Sequence, residues 1–425
     1  MLKYAHIVGW GMYVPGKVVT NDDLAEMIDT SDEWIQSRTG IRERRVVDEQ
    51  ETTATMAIQA AREALDRARL TPASVGLIIV ATSTPEHVFP STACLVQDAL
   101  GIPHAGAFDL SAACSGFIYA LSMASAAVRS GSTEVALVIG SETLSRVLDW
   151  SDRNTCVLFG DGAGAVVLQA SGEPGGVLST VLGADGSGAN DLIIPSGGSK
   201  SPASFETVAE GGHFIKMNGR AVFRFASRVV GRAALEACEK ANLSVDDIDL
   251  FVPHQANDRI IKSATKYLKI GQEKVFVNLD RYGNTSTASI PIALCEAIAQ
   301  GRVKRNDHLV LVGFGGGLTW GATVVQWGVP MPYKRRQWWY RMLRWALYQY
   351  AGLRSRLVRT VRGIEDIFSS DWRGNGQVPS EPEEEFSHDD QREPVRENGH
   401  LDNGQGLEEF VQEDVELEQV EQHRN

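Results

Sequence analysis

Cysteine is scarce in this chain, with five in 425 residues. Cys94, Cys114, Cys156, Cys238 and Cys295 are scattered, lacking both the close pairs of a zinc site and the density of a disulfide scaffold. That usage points to a reducing compartment. Long hydrophobic runs are missing too: no uninterrupted apolar stretch approaches the roughly 20 residues of a membrane span. Met1–Gly9 reads directly as a first strand with no leader ahead of it, so a cytoplasmic protein is expected. Acids are absent from residues 333–364, which carry nine Lys and Arg, whereas residues 365–425 carry nineteen acids against four basic residues. The net charge of −13 therefore describes no single part of the molecule, and residues 1–332 account for only −7 of it. No nucleic-acid partner is expected. The remaining composition, 43% hydrophobic and 22% charged, is that of a globular protein with room for two domains.

Among the five cysteines, Cys114 stands apart. It lies in Asp109-Leu110-Ser111-Ala112-Ala113-Cys114-Ser115-Gly116-Phe117, where small residues give way to a long helical pattern. A helix N-terminus offers unpaired N–H groups and the positive end of the dipole, which predicts a lowered thiol pKa. The small neighbours leave room for an acyl group to approach. Taken alone, a cysteine is more often a small buried hydrophobe, so this reading needs support from elsewhere in the chain.

An internal duplication supplies some of that support. Val75–Ser83 is echoed by Ile248–His254, Glu134–Gly140 by His308–Gly313, and Gly162–Leu168 by Gly321–Trp327. A helical stretch precedes the second strand of each set, Cys114–Gly131 in one half and Thr287–Gly301 in the other. The strand runs are apolar and β-branched, as expected for strands covered on both faces by helices. Two pseudo-symmetric α/β halves, residues 1–171 and 172–328, would bring Cys114 opposite the turn at Asn284. His254 ends a buried strand near the same seam, where active-site groups of α/β folds collect. A lone His at a strand end is commonly structural, and a lone Asn in a turn usually serves turn geometry. Together with Cys114 they form a nucleophile plus two donors suited to acyl transfer.

At these residues the chain resembles the β-ketoacyl-acyl carrier protein synthase III family of thiolase-like condensing enzymes, from about residue 3 to residue 328. Six blocks carry the resemblance. They are Thr30–Ile35 with Arg38–Arg44, the Cys114 block, Leu158–Ala165, His254–Asn257, Gly283–Ser286 and Gly315–Gly321. It implies a thiolase-like fold whose two βαβαβ-type halves stack as α-β-α-β-α. It also implies Cys114 as the acylated nucleophile, His254 and Asn284 as donors to the malonyl thioester, and the N–H groups of Cys114 and Gly316 as the oxyanion hole. Trp34 and Arg153 match positions that sandwich the adenine of coenzyme A, and Arg38 and Thr39 match residues near its phosphate and pantetheine. Phe89 corresponds to a wall of the primer pocket supplied across a homodimer interface. Arg224, Gln255, Arg259 and Lys266 fall where the family meets the acidic carrier protein, with Tyr267 replacing a basic residue there. The implied partners are an acyl-CoA and malonyl-acyl carrier protein, with no metal and no cofactor. A related condensing enzyme of specialised metabolism, or a non-catalytic scaffold recruited through its tail, remains an alternative.

The resemblance stops near Pro332. In residues 329–368, Trp339, Leu343, Ala346, Tyr350, Leu353, Leu357 and Val361 recur every three or four residues, with Arg341, Arg344, Arg359 and Arg362 on the opposite face. Such a basic, aromatic amphipathic helix suits a peripheral contact with the inner membrane surface, or packing on the enzyme body or a protein partner. Residues 369–425 are acidic and poor in aromatics, a composition that predicts disorder.

Overall fold

The computed structural model describes residues 3–328 and, beyond them, seven helical residues at positions 346, 350, 353, 357, 358, 360 and 361. The expected acidic tail and the rest of the 329–368 segment lie outside the described residues. Two sheets organise the body. The first is ordered Tyr4–Tyr13, Gly162–Ser171, Val135–Glu142, Leu77–Ala81, Gly106–Leu110. Leu77–Ala81 runs parallel to both of its neighbours, and the remaining pairs are antiparallel. The second sheet is ordered Leu250–Pro253, His308–Gly315, Thr319–Gln326, Gly176–Ala184, with the first pair parallel and the other two antiparallel. Strand for strand this is the same pattern. The three sequence echoes coincide with equivalent strands, and the structure adds a fourth equivalence, Tyr4–Tyr13 with Gly176–Ala184. The first sheet's fifth strand has only a trace in the second half, where Val275 bridges Phe251.

The apolar strand runs are buried because helices cover both faces of each sheet. Gly116–Ser130 and Ser289–Ala299 share one core with both sheets: Phe117, Leu121, Ile290 and Leu294 cluster with Ile79 and Val138 of one and Leu309 and Leu311 of the other. Thr53–Ala68 and Thr92–Leu100 cover the outer face of the first sheet, and Gly219–Lys240 and Asp258–Leu268 that of the second. The result is the layered thiolase-like arrangement expected. Truncating a Leu or Phe in this middle layer would cost about 2–5 kcal/mol. The helices there are therefore rigid supports for whatever stands at their N-terminal ends.

Candidate active site

Both middle-layer helices begin in the same unusual way. A 3₁₀ turn, Ala113–Ser115, leads into Gly116–Ser130, and another, Ser286–Ala288, leads into Ser289–Ala299. The first residue of each turn has a positive φ, 44° at Ala113 and 48° at Ser286, although neither is glycine. Such backbone strain persists only where surrounding structure enforces it, and it clusters at functional sites. Ser115 Oγ donates to Ala112 O at 2.8 Å and holds the first turn. Gly315 passes so close that a Cβ there would lie 2.5 Å from Cys114 N. Cys114 is thus fixed ahead of its helix and almost wholly buried. That burial corrects the expected direction of its pKa: desolvation of the thiolate pushes the thiol up to about 12, overriding what the helix N-terminus would favour.

His254 follows the strand Leu250–Pro253, and its N–H donates to Val312 O at 2.7 Å. Its Nδ1 is 2.6 Å from Ser289 Oγ, and the Gln255 N–H donates to the same oxygen at 3.4 Å. If that hydroxyl donates to Nδ1, the ring carries its proton on Nε2. Phe314 packs edge-on to the imidazole, 5.1 Å between ring centroids. Burial lowers the His254 pKa to about 3, so the ring is neutral at physiological pH. Asn284 follows Gly283, whose φ of 61° and close approach to Leu158 O (2.9 Å from a Cβ) admit only glycine. Its backbone is clamped to the first half, from Asn284 N to Leu158 O (2.8 Å) and from Gly160 N to Asn284 O (3.0 Å). Asn284 Oδ1 accepts from Ser286 N at 2.8 Å, which leaves the side-chain NH₂ as the end available to a ligand.

Cys114, His254 and Asn284 line one cavity of about 470 Å³. Trp34, Arg38, Thr39 and Arg153 line the same cavity, and the two arginines are exposed, marking its mouth. Both guanidinium groups lie against the Trp34 ring, Arg38 at 4.3 Å and Arg153 at 4.8 Å from its centroid. Thr39 spends its hydroxyl on the helix end, donating to Ile35 O and accepting from Ile41 N. A second cavity of about 410 Å³ lies on the other side of the thiol, lined by Cys114, Ser286, Gly316, Leu144, Ile194 and Ile215 among others. Cys114 lines both, so it stands where the two cavities meet.

The peripheral expectations fare unequally. Arg224, Arg259, Lys266 and Tyr267 are exposed, with Arg259 donating to Ser37 O at 2.8 Å. Gln255 is a correction: it is buried, donating to Pro253 O and Phe276 O and accepting from Asn278 N. A side chain consumed by three backbone partners has nothing to offer a carrier protein. Phe89 is 85% exposed and lines neither cavity of its own chain. Sequence reasoning missed Ser289 and Phe314, which orient His254, and Glu142, a carboxylate ending an otherwise uncharged buried strand. That interruption was the one local signal available.

Comparison with known proteins settles the family. Residues 108–186 match the family model 3-Oxoacyl-(acyl-carrier-protein) synthase III, and residues 238–327 match its C-terminal counterpart. A β-ketoacyl-acyl carrier protein synthase III of Symbiobacterium thermophilum is 57% identical over 322 residues, 76% of this chain and 98% of that one. The chain belongs to the β-ketoacyl-acyl carrier protein synthase III family. It is a condensing acyltransferase of fatty acid biosynthesis. Among solved structures, the family member from Aquifex aeolicus is 50% identical over 76% of this chain and 99% of its own, with a TM-score of 0.70. The priming β-ketosynthase of the R1128 polyketide pathway is 38% identical over 78% and 98%, with a TM-score of 0.72. The synthase III resemblance covers the body and leaves the last hundred residues outside it.

Proposed function

We infer that this synthase III takes an acyl group from a short acyl-CoA onto Cys114 and condenses it with malonyl-acyl carrier protein. The observation that carries the reading is the position of the sulfur at the junction of the two cavities. Coenzyme A enters past Trp34 and Arg38, its pantetheine reaches the thiol, and the primer occupies the apolar chamber. The Cys114 and Gly316 N–H groups receive the oxyanion as sulfur attacks and coenzyme A leaves. Malonyl-acyl carrier protein then uses the same tunnel, with Arg224, Arg259 and Lys266 meeting the acidic carrier. Neutral His254, through Nε2–H, and the Asn284 NH₂ both donate to the malonyl thioester oxygen. They stabilise the enolate that forms as CO₂ departs and attacks the acyl-cysteine. A donor that never ionises suits this task, since an imidazolium would hold the malonyl carboxylate it must release. Adenine between Trp34 and Arg153 would need about 7 Å, two van der Waals contacts, where 4.8 Å now separates them. Arg153, tied to Asp29 O at 2.7 Å, therefore swings outward when coenzyme A binds.

The test is a panel of acetyl-, branched and long acyl-CoA primers, read by mass spectrometry as acylation of Cys114. Transfer from the short primers, followed by condensation with malonyl-acyl carrier protein, is the expected result. Activity only with long primers, or with malonyl-CoA, would favour the reading in specialised metabolism that the likeness to a polyketide priming enzyme keeps open. No acylation by any primer would favour a scaffold.

A homodimer fits the unpaired edge strand Gly106–Leu110, with Phe108, Val88 and Phe89 exposed beside it. Association along that edge would carry Phe89 toward the primer chamber of a second copy. Cytoplasmic location follows the cysteine usage, and no helix among the described residues is long and apolar enough to cross a membrane. In the C-terminal segment, Tyr350, Leu353, Leu357 and Val361 are exposed, 67% at Tyr350, which argues against packing on the enzyme body. Nine basic residues without an acid favour an anionic lipid surface as its contact. Full-length protein should then float with anionic vesicles more weakly than protein lacking residues 369–425, whose acids compete for the basic segment. Equal flotation of the two would remove the competition, and no binding by either would remove the membrane contact.

A further inference from the structure

One buried carboxylate has no part in the chemistry so far. Glu142 ends the fully buried strand Val135–Glu142 and has no exposed surface. Its partners are hydroxyls and backbone amides, and they come from two different walls. Oε2 faces the segment that leaves the strand Leu77–Ala81. It accepts from Thr84 N at 3.1 Å, Thr84 Oγ1 at 2.7 Å and Thr82 Oγ1 at 3.3 Å. Ser83 N lies 3.1 Å from both oxygens. Oε1 reaches the other half of the molecule and accepts from Ser286 Oγ at 3.0 Å. The Ser286 turn can come this close because residue 140 of the same strand is glycine, where a Cβ would lie 2.5 Å from Thr287 O. Ser83, Thr84 and Ser286 all line the second cavity beside Cys114. One side chain behind that cavity therefore ties two of its walls together.

We propose that Glu142 is a positioning residue that sets which acyl primers the enzyme accepts, by bracing the Thr82–Thr84 segment against the Ser286 turn. The inference rests on the second cavity being the chamber of the primer. A carboxylate suits the task because it accepts from every side and has no N–H in need of a partner. Glutamine would turn an NH₂ toward one set of donors, whichever way its amide lies, and leave that wall untied. Aspartate keeps the charge but is one methylene too short to hold both walls. Hydrogen bonds to a carboxylate are also stronger than neutral ones, so the walls resist parting when a larger acyl group presses on them. In a hydrophobic pocket, fit of this kind separates chains differing by one methylene by about 10–200-fold.

The brace also fixes the root of a longer segment. Beyond Thr84 the chain runs out to the exposed Val88 and Phe89 and returns at Thr92, where Asp109 accepts from Thr92 N at 2.6 Å and Ala93 N at 2.8 Å. Other restraints are local to each wall. Thr53 Oγ1 donates to Thr84 O at 2.6 Å, and the Asn284 backbone beside the Ser286 turn is clamped by Leu158 and Gly160. Each wall thus keeps its own conformation when the brace is cut, and what changes is the spacing between them.

The test compares kcat/KM for acetyl-, butyryl- and hexanoyl-CoA in the wild type, Glu142→Gln and Glu142→Asp. The hexanoyl-to-acetyl ratio should rise by about 10-fold in each variant. The change should fall on the KM of the primer, while kcat for condensation from enzyme already carrying acetyl stays within about threefold. A merely structural defect lowers turnover with every primer alike and leaves the ratio in place. That result overturns the brace, and so does an unchanged or lowered ratio with normal turnover. Thr84→Val removes the shortest of the bonds at nearly constant volume and should raise the ratio by about threefold. If neither Glu142 variant folds, an unmoved ratio in Thr84→Val overturns the proposal by itself. Failure of the wild type to load any primer onto Cys114 would overturn the chamber assignment, and the brace with it. A wild type that loads normally beside variants with unmoved ratios overturns the brace alone.

Discussion

Cys114→Ala is expected to lose acyl transfer from acyl-CoA by about 10⁴-fold or more, with no covalent adduct visible by mass spectrometry. A loss of that size follows when the atom that forms the intermediate is deleted, because only binding and the oxyanion hole remain. Stability should change little. The deleted sulfur is a single buried atom, about 1 kcal/mol by analogy with a methylene, against a total of about 5–15 kcal/mol. Gly315 lies against the Cys114 backbone N–H and Ser115 holds the turn through Ala112 O, so neither depends on the sulfur. Thermal melting alongside turnover checks both parts. Retention of more than about 1% of turnover would place the nucleophile elsewhere.

His254→Ala and Asn284→Ala should divide the reaction differently. Each variant is expected to accept an acyl group on Cys114 yet condense it with malonyl-acyl carrier protein about 10²–10³-fold more slowly, the usual effect of removing one donor to a developing oxyanion. Asn284→Asp is the sharper probe, because it keeps the acceptor that holds the Ser286 N–H and deletes only the NH₂. Since burial keeps His254 near 3, condensation from pre-acylated enzyme should show no limb near the ordinary histidine value. Rapid-quench measurement from pH 5.5 to 8 reads this directly. An acid limb near 6.5 would mean that His254 titrates in the working enzyme and that its role as a neutral donor is wrong.

Much of the site was legible in local sequence because its chemistry uses local devices. Small residues around Cys114, the strand end at His254 and the glycine turn before Asn284 are all set by backbone geometry over a few residues. The duplication was legible for the same reason: apolar β-branched runs recur with helical stretches between them. It failed where the second half dispenses with a strand, since a single bridge at Val275 leaves no pattern. Gln255 was expected at the carrier-protein surface only through its place in the block His254–Asn257 that carries the resemblance. Its three backbone partners come from segments up to 23 residues away, which no motif displays.

By itself the amino-acid sequence carried the doubled α/β pattern, through periodicity, and the synthase III resemblance, through short motifs, and that resemblance implied the roles proposed for Cys114, His254 and Asn284. Tertiary structure alone decided the electrostatics. The thiol expected to ionise readily is raised by burial among both halves, and the histidine beside it is neutralised by the same desolvation. Glu142 lies 144 residues from Ser286 and meets it only because the fold brings the end of the strand Val135–Glu142 against the Ser286 turn. Turn chemistry is written in neighbouring residues, whereas desolvation and hydrogen-bond partnership depend on what the fold brings from far away.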